Sequence, residues 1–221
     1  MLGWIADYPH MTDYLDVHFG KNSVVFGDSY PDIYNILVKA DVLPVEKAKD
    51  TYVQANNAVK TIVPMVPIAY GVSAVAYKAD VKNAYGDPLA MEKLWTMDPG
   101  GRDTFIWLQT AEPESLYCND EDDGEAIHAC LHVFDSLYAF KTNSTDLQPA
   151  LATSCDPNAE LSEWTCHIRP NVKFSDGSTL TAHDVVASFA VAWDASIPIH
   201  KGNTGTWYFM DNVFGMINKP K

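Results

Sequence analysis

Trp164-Thr-Cys-His-Ile-Arg-Pro-Asn-Val-Lys-Phe-Ser-Asp-Gly-Ser-Thr-Leu-Thr-Ala-His-Asp-Val-Val-Ala-Ser-Phe189 carries three structural signals in one stretch. Its first residues close a hairpin that runs from Leu151 to Ile168 around a turn at Asp156-Pro157-Asn158. Asp176-Gly177 is the dipeptide of a tight turn, because glycine tolerates the positive φ that such a turn demands. Thr181-Ala-His-Asp184 is a capping box, whose hydroxyl and carboxylate satisfy free N–H groups of a first helical turn. The spacing then predicts a helix that buries Val185, Val186, Phe189 and Trp193. A strand pair, a tight turn and a helix thus follow one another in this part of the chain.

Further toward the N-terminus, Glu125 to Tyr138 reads as a helix burying Ile127, Leu131, Phe134 and Leu137. Thr104 to Gln109 reads as a strand, and an acidic loop follows from Asn119 to Glu125. Between Asp80 and Asp103, Gly86, Asp87, Pro88, Asp98, Pro99, Gly100 and Gly101 punctuate a short amphipathic piece at Leu89 to Trp95. This composition shift marks a boundary. Before it, Ile62 to Tyr70 and Val72 to Tyr77 read as extended, buried segments, with prolines confined to a start or an edge. Asp32 to Ala40 is a short helix. The next helix begins at Pro44 and puts Val45, Ala48, Tyr52, Ala55 and Val59 on one face. Residues 1–31 are aromatic and turn-rich, with Asp7, Asp13, Asp16 and Asp28 among Tyr8, Tyr14, Phe19 and Phe26.

The 221 residues contain 15 Lys+Arg against 29 Asp+Glu, a formal net charge of −14 that speaks against a nucleic-acid binder. A hydrophobic content of 47% with 20% charged residues is globular rather than disordered. The longest apolar run, Ile62 to Tyr77, is interrupted by Pro64, Pro67, Gly71 and Ser73 and is too short to span a bilayer. Met1 to Asp7 has neither the basic nor the apolar region of a signal peptide. Cys118, Cys130, Cys155 and Cys166 fall in two close pairs without C-x-x-C spacing, and four cysteines permit three connectivities.

Catalytic and metal motifs are sparse. The chain contains no G-x-S-x-G, phosphate loop, H-E-x-x-H or G-x-G-x-x-G, so no enzyme and no cofactor is expected. His128 and His132 stand four apart, a metal-ligand spacing, but without an evident third ligand they read as a solvated helix face. The acidic loop fails the EF-hand pattern, since the twelfth position from Asn119 is Cys130. Asn143-Ser144-Thr145 is an incidental sequon.

Pro149-Ala-Leu-Ala-Thr-Ser-Cys155, together with the stretch from Trp164 to Phe189, resembles the family-5 extracellular solute-binding proteins, the peptide receptors of bacterial ABC importers, over about forty positions. Thr110 to Leu116 and Val133 to Phe140 look like that family's first strand exit and following helix. Gly3-Trp-Ile-Ala-Asp-Tyr-Pro9 with Tyr14-Leu15, and Val63-Pro-Met-Val-Pro-Ile68, are similar to segments found late in the family. Here those late-type segments come first, so the order is reversed and the family's large middle is absent. A fragment spanning two tandem receptors, a duplicated start appended to a receptor's end, and a circular permutation each account for it; a fragment of a longer exported receptor is favoured.

The resemblance implies the α/β class, with periplasmic-binding-protein-like lobes and a mixed sheet with flanking helices, partial or permuted. Residues 1–61 would belong to the ligand-closing lobe. Residues 62–102 would return to the first lobe, and 103–221 would form a first-lobe segment. It implies a Cys155–Cys166 bridge, because those cysteines stand where the family places an aromatic pair on facing strands, and a Cys118–Cys130 bridge clamping the acidic loop to the next helix. Asp7 would hold a peptide's α-ammonium, with Trp4 and Tyr8 as walls; the plainer reading is that Asp7 caps a turn and Trp4 is core. The implied partners are a peptide or other small solute, a membrane permease, and the remainder of the receptor or a second chain. The implied location is periplasmic or extracellular, anchored as a lipoprotein through a region absent here. The alternative function is an assembly fragment that completes another receptor chain and binds no ligand itself.

Overall fold

The computed structural model describes residues 4–21, 23, 25–71, 74–113, 115–119, 121, 123–200 and 215–218. The chain divides into two compact units, Met1–Val72 with Tyr208–Gly215, and Ser73–Trp207 with Met216–Lys221. The Asp80 to Asp103 region lies inside the second unit.

The first unit is helical: α1 (Thr12–Phe19), α2 (Pro31–Asp41) and α3 (Val45–Ile62). Pro31 starts α2 with its φ already helical and no N–H to leave unpaired. Ile33, Leu37 and Ala40 of α2 then meet Ala48, Tyr52, Ala55 and Val59 of α3, all buried. The alanines carry no bulk at the contact, so the two helices pack closely. Leu15 and Phe19 of α1, four residues apart, close this core, and Phe19 stacks on Phe26 at 5.2 Å. The predicted stripe on α3 holds except at Val45, which is 68% exposed at the helix start. The existence of α1 is new: the aromatic, turn-rich reading of residues 1–31 gave it no helix.

Helix α3 stops at Val63, whose φ of 47° and ψ of 54° are left-handed, ahead of Pro64. A β-branched residue is strained there, whereas glycine is not. Val63→Gly is therefore expected to stabilise the unit by about 1 kcal/mol, read as a higher urea midpoint.

Beyond α3 the strand readings are corrected. Ile62 ends the helix, and residues 64–71 join no ladder among the described residues. Val66, Ile68 and Tyr70 are 77%, 78% and 99% exposed, so the apolar run is not a buried strand in this chain. Residues 74–77 and 104–109 are likewise unpaired, and Val72 lies outside the described residues. An extended segment becomes a strand only when a ladder partner satisfies its backbone.

The second unit combines two small antiparallel sheets with flanking helices. β1 (Tyr138–Phe140) pairs with β2 (Leu147–Pro149), and β3 (Ala152–Pro157) with β4 (Trp164–Ile168). Among the described residues a parallel contact is limited to the isolated Asp194–Ile217 bridge. The hairpin turn falls later than expected, at residues 158–163: Asp156 and Pro157 remain in β3, and the Asn158 side chain accepts from the N–H groups of Ser162 and Glu163. Gly177 has φ +88° in the Asp176-Gly177 turn, and Asp176 accepts from the Ser178 N–H at 2.8 Å.

Helix α4 covers Gly124–Leu131 only. Its N-cap Asp123 accepts from the Ala126 N–H at 2.8 Å. The expected continuation to Tyr138 gives way because the N–H groups of Val133 and Phe134 both turn back to the Cys130 carbonyl and β1 then begins. Phe134 is consequently 60% exposed, and Ala126 and His128 are the buried residues of α4. Helix α5 (Ala182–Trp193) has its capping box, with Asp184 accepting from the Thr181 N–H at 2.7 Å. Its apolar face is only partly covered: Val186 and Phe189 are 65% and 46% exposed, while Val185 and Trp193 are half-buried. A capping box is local chemistry, whereas burial of that face needs a neighbour. No helix among the described residues is long and apolar enough to cross a membrane.

Candidate ligand-binding segment

Asp13, in the first turn of α1, is fully buried and organises the segment that precedes it. Its Oδ2 accepts from the Asp7 N–H at 3.1 Å and from the Trp4 indole N–H at 3.4 Å. Trp4 and Asp7 are thus brought together through one residue. The Trp4 ring also meets the His18 ring edge-on at 5.0 Å. Tyr8 turns to α1 instead, its hydroxyl 3.0 Å from Thr12 Oγ1. Trp4 is 38% exposed rather than core, while Asp7 and Tyr8 are half-buried.

A second acidic group lies one turn further along α1. Asp16 is 8% exposed, and its Oδ2 is buried without a hydrogen-bond partner. Burial first, and then the Asp41 carboxylate, push its pKa up to about 8. Asp41 is itself raised, by desolvation, although the Tyr52 hydroxyl donates to its Oδ1 at 2.9 Å. The Tyr52 phenol is raised in turn by burial and by that carboxylate. Asp13 and Asp16 were legible only as acids among aromatics; their spacing of three on a helix that buries Leu15 and Phe19 is the signal for burial.

The second unit contains a different polar cluster. Glu92 Oε1 accepts from the Asp87 N–H at 2.9 Å, and the buried Lys93 ammonium donates to the Phe140 carbonyl. His128 is 6% exposed, not solvated as its spacing suggested. Its Nε2 donates to the Glu92 carbonyl at 3.1 Å, and its ring stacks on Trp107 at 5.0 Å. Burial, and then His132, lower its pKa. His132 Nδ1 donates to the His128 carbonyl while its Nε2 accepts from the Leu94 N–H. The pair therefore builds structure, and no cluster of three or more metal-ligating side chains occurs among the described residues.

Disulfides join Cys118 to Cys130 and Cys155 to Cys166, with Cα–Cα separations of 5.8 and 4.0 Å. Cys155 and Cys166 are direct partners across the β3–β4 ladder. An apolar recess of about 390 Å³ lies beside them, lined by Tyr138, Leu147, Cys155, Trp164 and Cys166. A second cavity, of about 440 Å³, lies between residues 74–78 and 104–108. Trp4, Asp7 and Tyr8 line neither. The acidic loop's Asp120 and Asp122 lie outside the described residues.

The hairpin, the Asp-Gly turn and the capped helix form one continuous module, and residues 146–214 match the family model described as bacterial extracellular solute-binding proteins, family 5 Middle. Over this stretch, under a third of the chain, the sequence is similar to the family-5 extracellular solute-binding proteins. The chain is similar to Heme-binding protein A of Haemophilus influenzae, 38% identical over 84 residues, covering 35% of this chain and 15% of that protein. It is similar to Di/tripeptide-binding protein 4 of Pseudomonas aeruginosa, 33% identical over 85 residues, 36% of this chain and 16% of that protein. It is also similar to the Dipeptide-binding protein of Escherichia coli, 26% identical over 117 residues, 50% of this chain and 22% of that protein. The matched stretches thus span about a fifth or less of these relatives. No solved structure matches the chain.

Proposed function

We propose that the chain is part of the solute-binding component of a bacterial ABC importer, taking peptides or oligopeptides. The observation that carries this reading is the family-5 match over residues 146–214; named relatives that bind dipeptides and tripeptides support the solute class. The mechanism is non-covalent. Two lobes close over the solute, and the closed form docks on a membrane permease. The receptor is exported and anchored at the membrane through sequence outside this chain, and its reversed segment order is that of a fragment of a longer receptor.

Asp7 holds the solute's α-ammonium, with Trp4 and Tyr8 beside it. Asp13 supports this role by fixing the Asp7 backbone and the Trp4 indole through one buried carboxylate. A charge-assisted contact contributes about 1.5–3 kcal/mol. Isothermal titration of the chain with trialanine is therefore expected to show affinity falling roughly tenfold to a hundredfold in Asp7→Asn. N-acetylated trialanine, which lacks the ammonium, is expected to bind both forms equally weakly. Equal affinity of wild type and Asp7→Asn for free trialanine would remove Asp7 from the site.

A further inference from the structure

Asp16 lies buried on α1, within hydrogen-bonding reach of the carboxyl group of Asp41, the last residue of α2. Two ionised carboxylates cannot bond to each other, because each only accepts. A single proton between them turns one into a donor, in a place where Asp16 Oδ2 is otherwise buried without a partner. The groups around the pair come from each neighbouring element. Tyr52 of α3 donates its hydroxyl to Asp41 Oδ1 at 2.9 Å. In the segment before α1, the His10 ring meets the Tyr52 ring edge-on at 5.5 Å. The Asp41 carboxyl, raised by desolvation, also feels the His10 imidazole, and the Tyr8 phenol acts on Tyr52. Among the described residues no Lys or Arg forms an ion pair with either acid. Asp41 is exposed at the helix end, so the shared proton exchanges with solvent.

The same helix holds the solute segment. Asp13 and Asp16 are three residues apart on α1, and Asp13 accepts from the Asp7 N–H and the Trp4 indole. Helix α1 is eight residues long, has no side-chain cap at its start, and reaches the core through Leu15 and Phe19. A helix this short is marginal without its packing. A second negative charge placed between α1 and α2 therefore works directly against the seat of α1.

We propose that the proton shared by Asp16 and Asp41 latches α1 onto α2, and that its loss in alkaline solution releases the Trp4–Asp7 segment and weakens solute capture. Taking Asp7 as the residue that holds the solute's ammonium, the latch adds how that residue is switched. Burial, and then the Asp41 charge, hold the Asp16 proton up to about pH 8. Below that pH the pair carries one negative charge and α1 is seated. Above it both carboxylates are charged and repel, so α1 is pushed off its seat. The contact of Ile33, Leu37 and Ala40 with Ala48, Ala55 and Val59 is apolar and does not titrate, so α2 and α3 stay together.

Nuclear magnetic resonance of the isotopically labelled full chain between pH 6 and 9 tests the latch without a ligand. The wild-type Asp7 amide resonance is expected to shift with a midpoint near pH 8, together with the Asp16 carboxyl carbon, while the Ala55 amide of α3 stays in place. In Asp16→Asn, whose side-chain amide still donates toward Asp41, the Asp7 amide is expected to keep its pH 6 position at pH 9. In Asp41→Asn, which removes the like charge, the midpoint is expected to move to lower pH. Trialanine titrated into wild type and Asp16→Asn reads the effect on capture. Its own ammonium is lost near pH 8 and weakens both alike, so a further loss of tenfold or more at pH 9 is expected in the wild type alone. An Asp7 amide that titrates in both proteins or in neither overturns the proposal, as does an unchanged midpoint in Asp41→Asn. An Ala55 amide that moves with Asp7 means unfolding of the whole unit and overturns it, and a titration that vanishes in His10→Gln belongs to the imidazole and does the same. Equal losses of trialanine affinity overturn the effect on capture. Failure of trialanine to bind the wild type at pH 6 instead overturns the reading of Asp7 itself, whereas the latch stands or falls on the amide.

Discussion

Asp16→Asn is expected to stabilise the helical unit at pH 8 and to leave it nearly unchanged at pH 4. The folded state holds the Asp16 proton up to about pH 8, whereas the unfolded chain releases it near 3.8. Between those values the folded state binds more protons, so stability falls as pH rises through this window. The contribution is complete below about pH 4 and gone above about pH 8. Asparagine carries no charge to desolvate and keeps the side chain's shape, so the variant escapes this loss. A shift of this size corresponds to several kcal/mol if Asp16 titrated alone. Asp41 shares the titration, which brings the expected gain at pH 8 to on the order of 2 kcal/mol. Urea denaturation followed by far-ultraviolet circular dichroism at pH 4, 6 and 8 measures it. Wild type and variant should diverge steadily with pH. Parallel curves for the two proteins would show that Asp16 is not protonated in the folded state.

Loss of the Cys155–Cys166 disulfide is expected to open the β3–β4 hairpin while the rest of the chain stays folded. The sheet has two strands, and most of β4 is exposed, so little apolar burial holds it. A two-stranded ladder of this kind is marginal in water. Closing a loop with a sequence separation of 11 constrains the unfolded hairpin by roughly 3 kcal/mol. That corresponds to about a hundredfold in the opening equilibrium. Cys155→Ser with Cys166→Ser should therefore speed hydrogen exchange of the β3 and β4 amides by about two decades. Cys118→Ser with Cys130→Ser should leave the hairpin's exchange unchanged and loosen the turn before α4 instead. Hairpin amides that stay protected in the first double variant would show that packing, not the cross-link, closes the strands.

Both effects bear on how much of this protein could be read from its residues. The cysteine pairing was implied by the resemblance to family-5 receptors, and the ladder places Cys155 opposite Cys166. The α3 stripe was legible because its residues recur at helical spacing, and α2 was legible as a short helix beside it in the chain. Asp184 and Gly177 were legible for a similar reason, since a capping box and an Asp-Gly turn satisfy backbone groups only a few residues away. The protonated character of Asp16 was not. It depends on burial and on the Asp41 carboxylate, which no spacing pattern encodes.

The same distinction separates His128 from the metal-ligand spacing that drew attention to it. Two histidines four apart share a helix face, but only packing against Glu92 and Trp107 decides that the face is buried. For Trp4 and Asp7, the segment from Gly3 to Pro9 marked the residues, and the structure adds Asp13 as a group that holds both.

The sequence by itself determined the local elements: the capped helix, the striped helix, the hairpin, the tight turn and the family likeness of residues 146–214. These arise from contacts between residues near each other in the chain, where propensity and spacing suffice. Only the tertiary structure decided which apolar segments find a partner. Among the described residues, 64–71 and 104–109 carry the composition of strands yet join no ladder, and α5 carries the pattern of a buried helix yet leaves Val186 and Phe189 exposed. Ladder bonds and burial are satisfied by groups distant in sequence, or outside it, so composition alone cannot supply them.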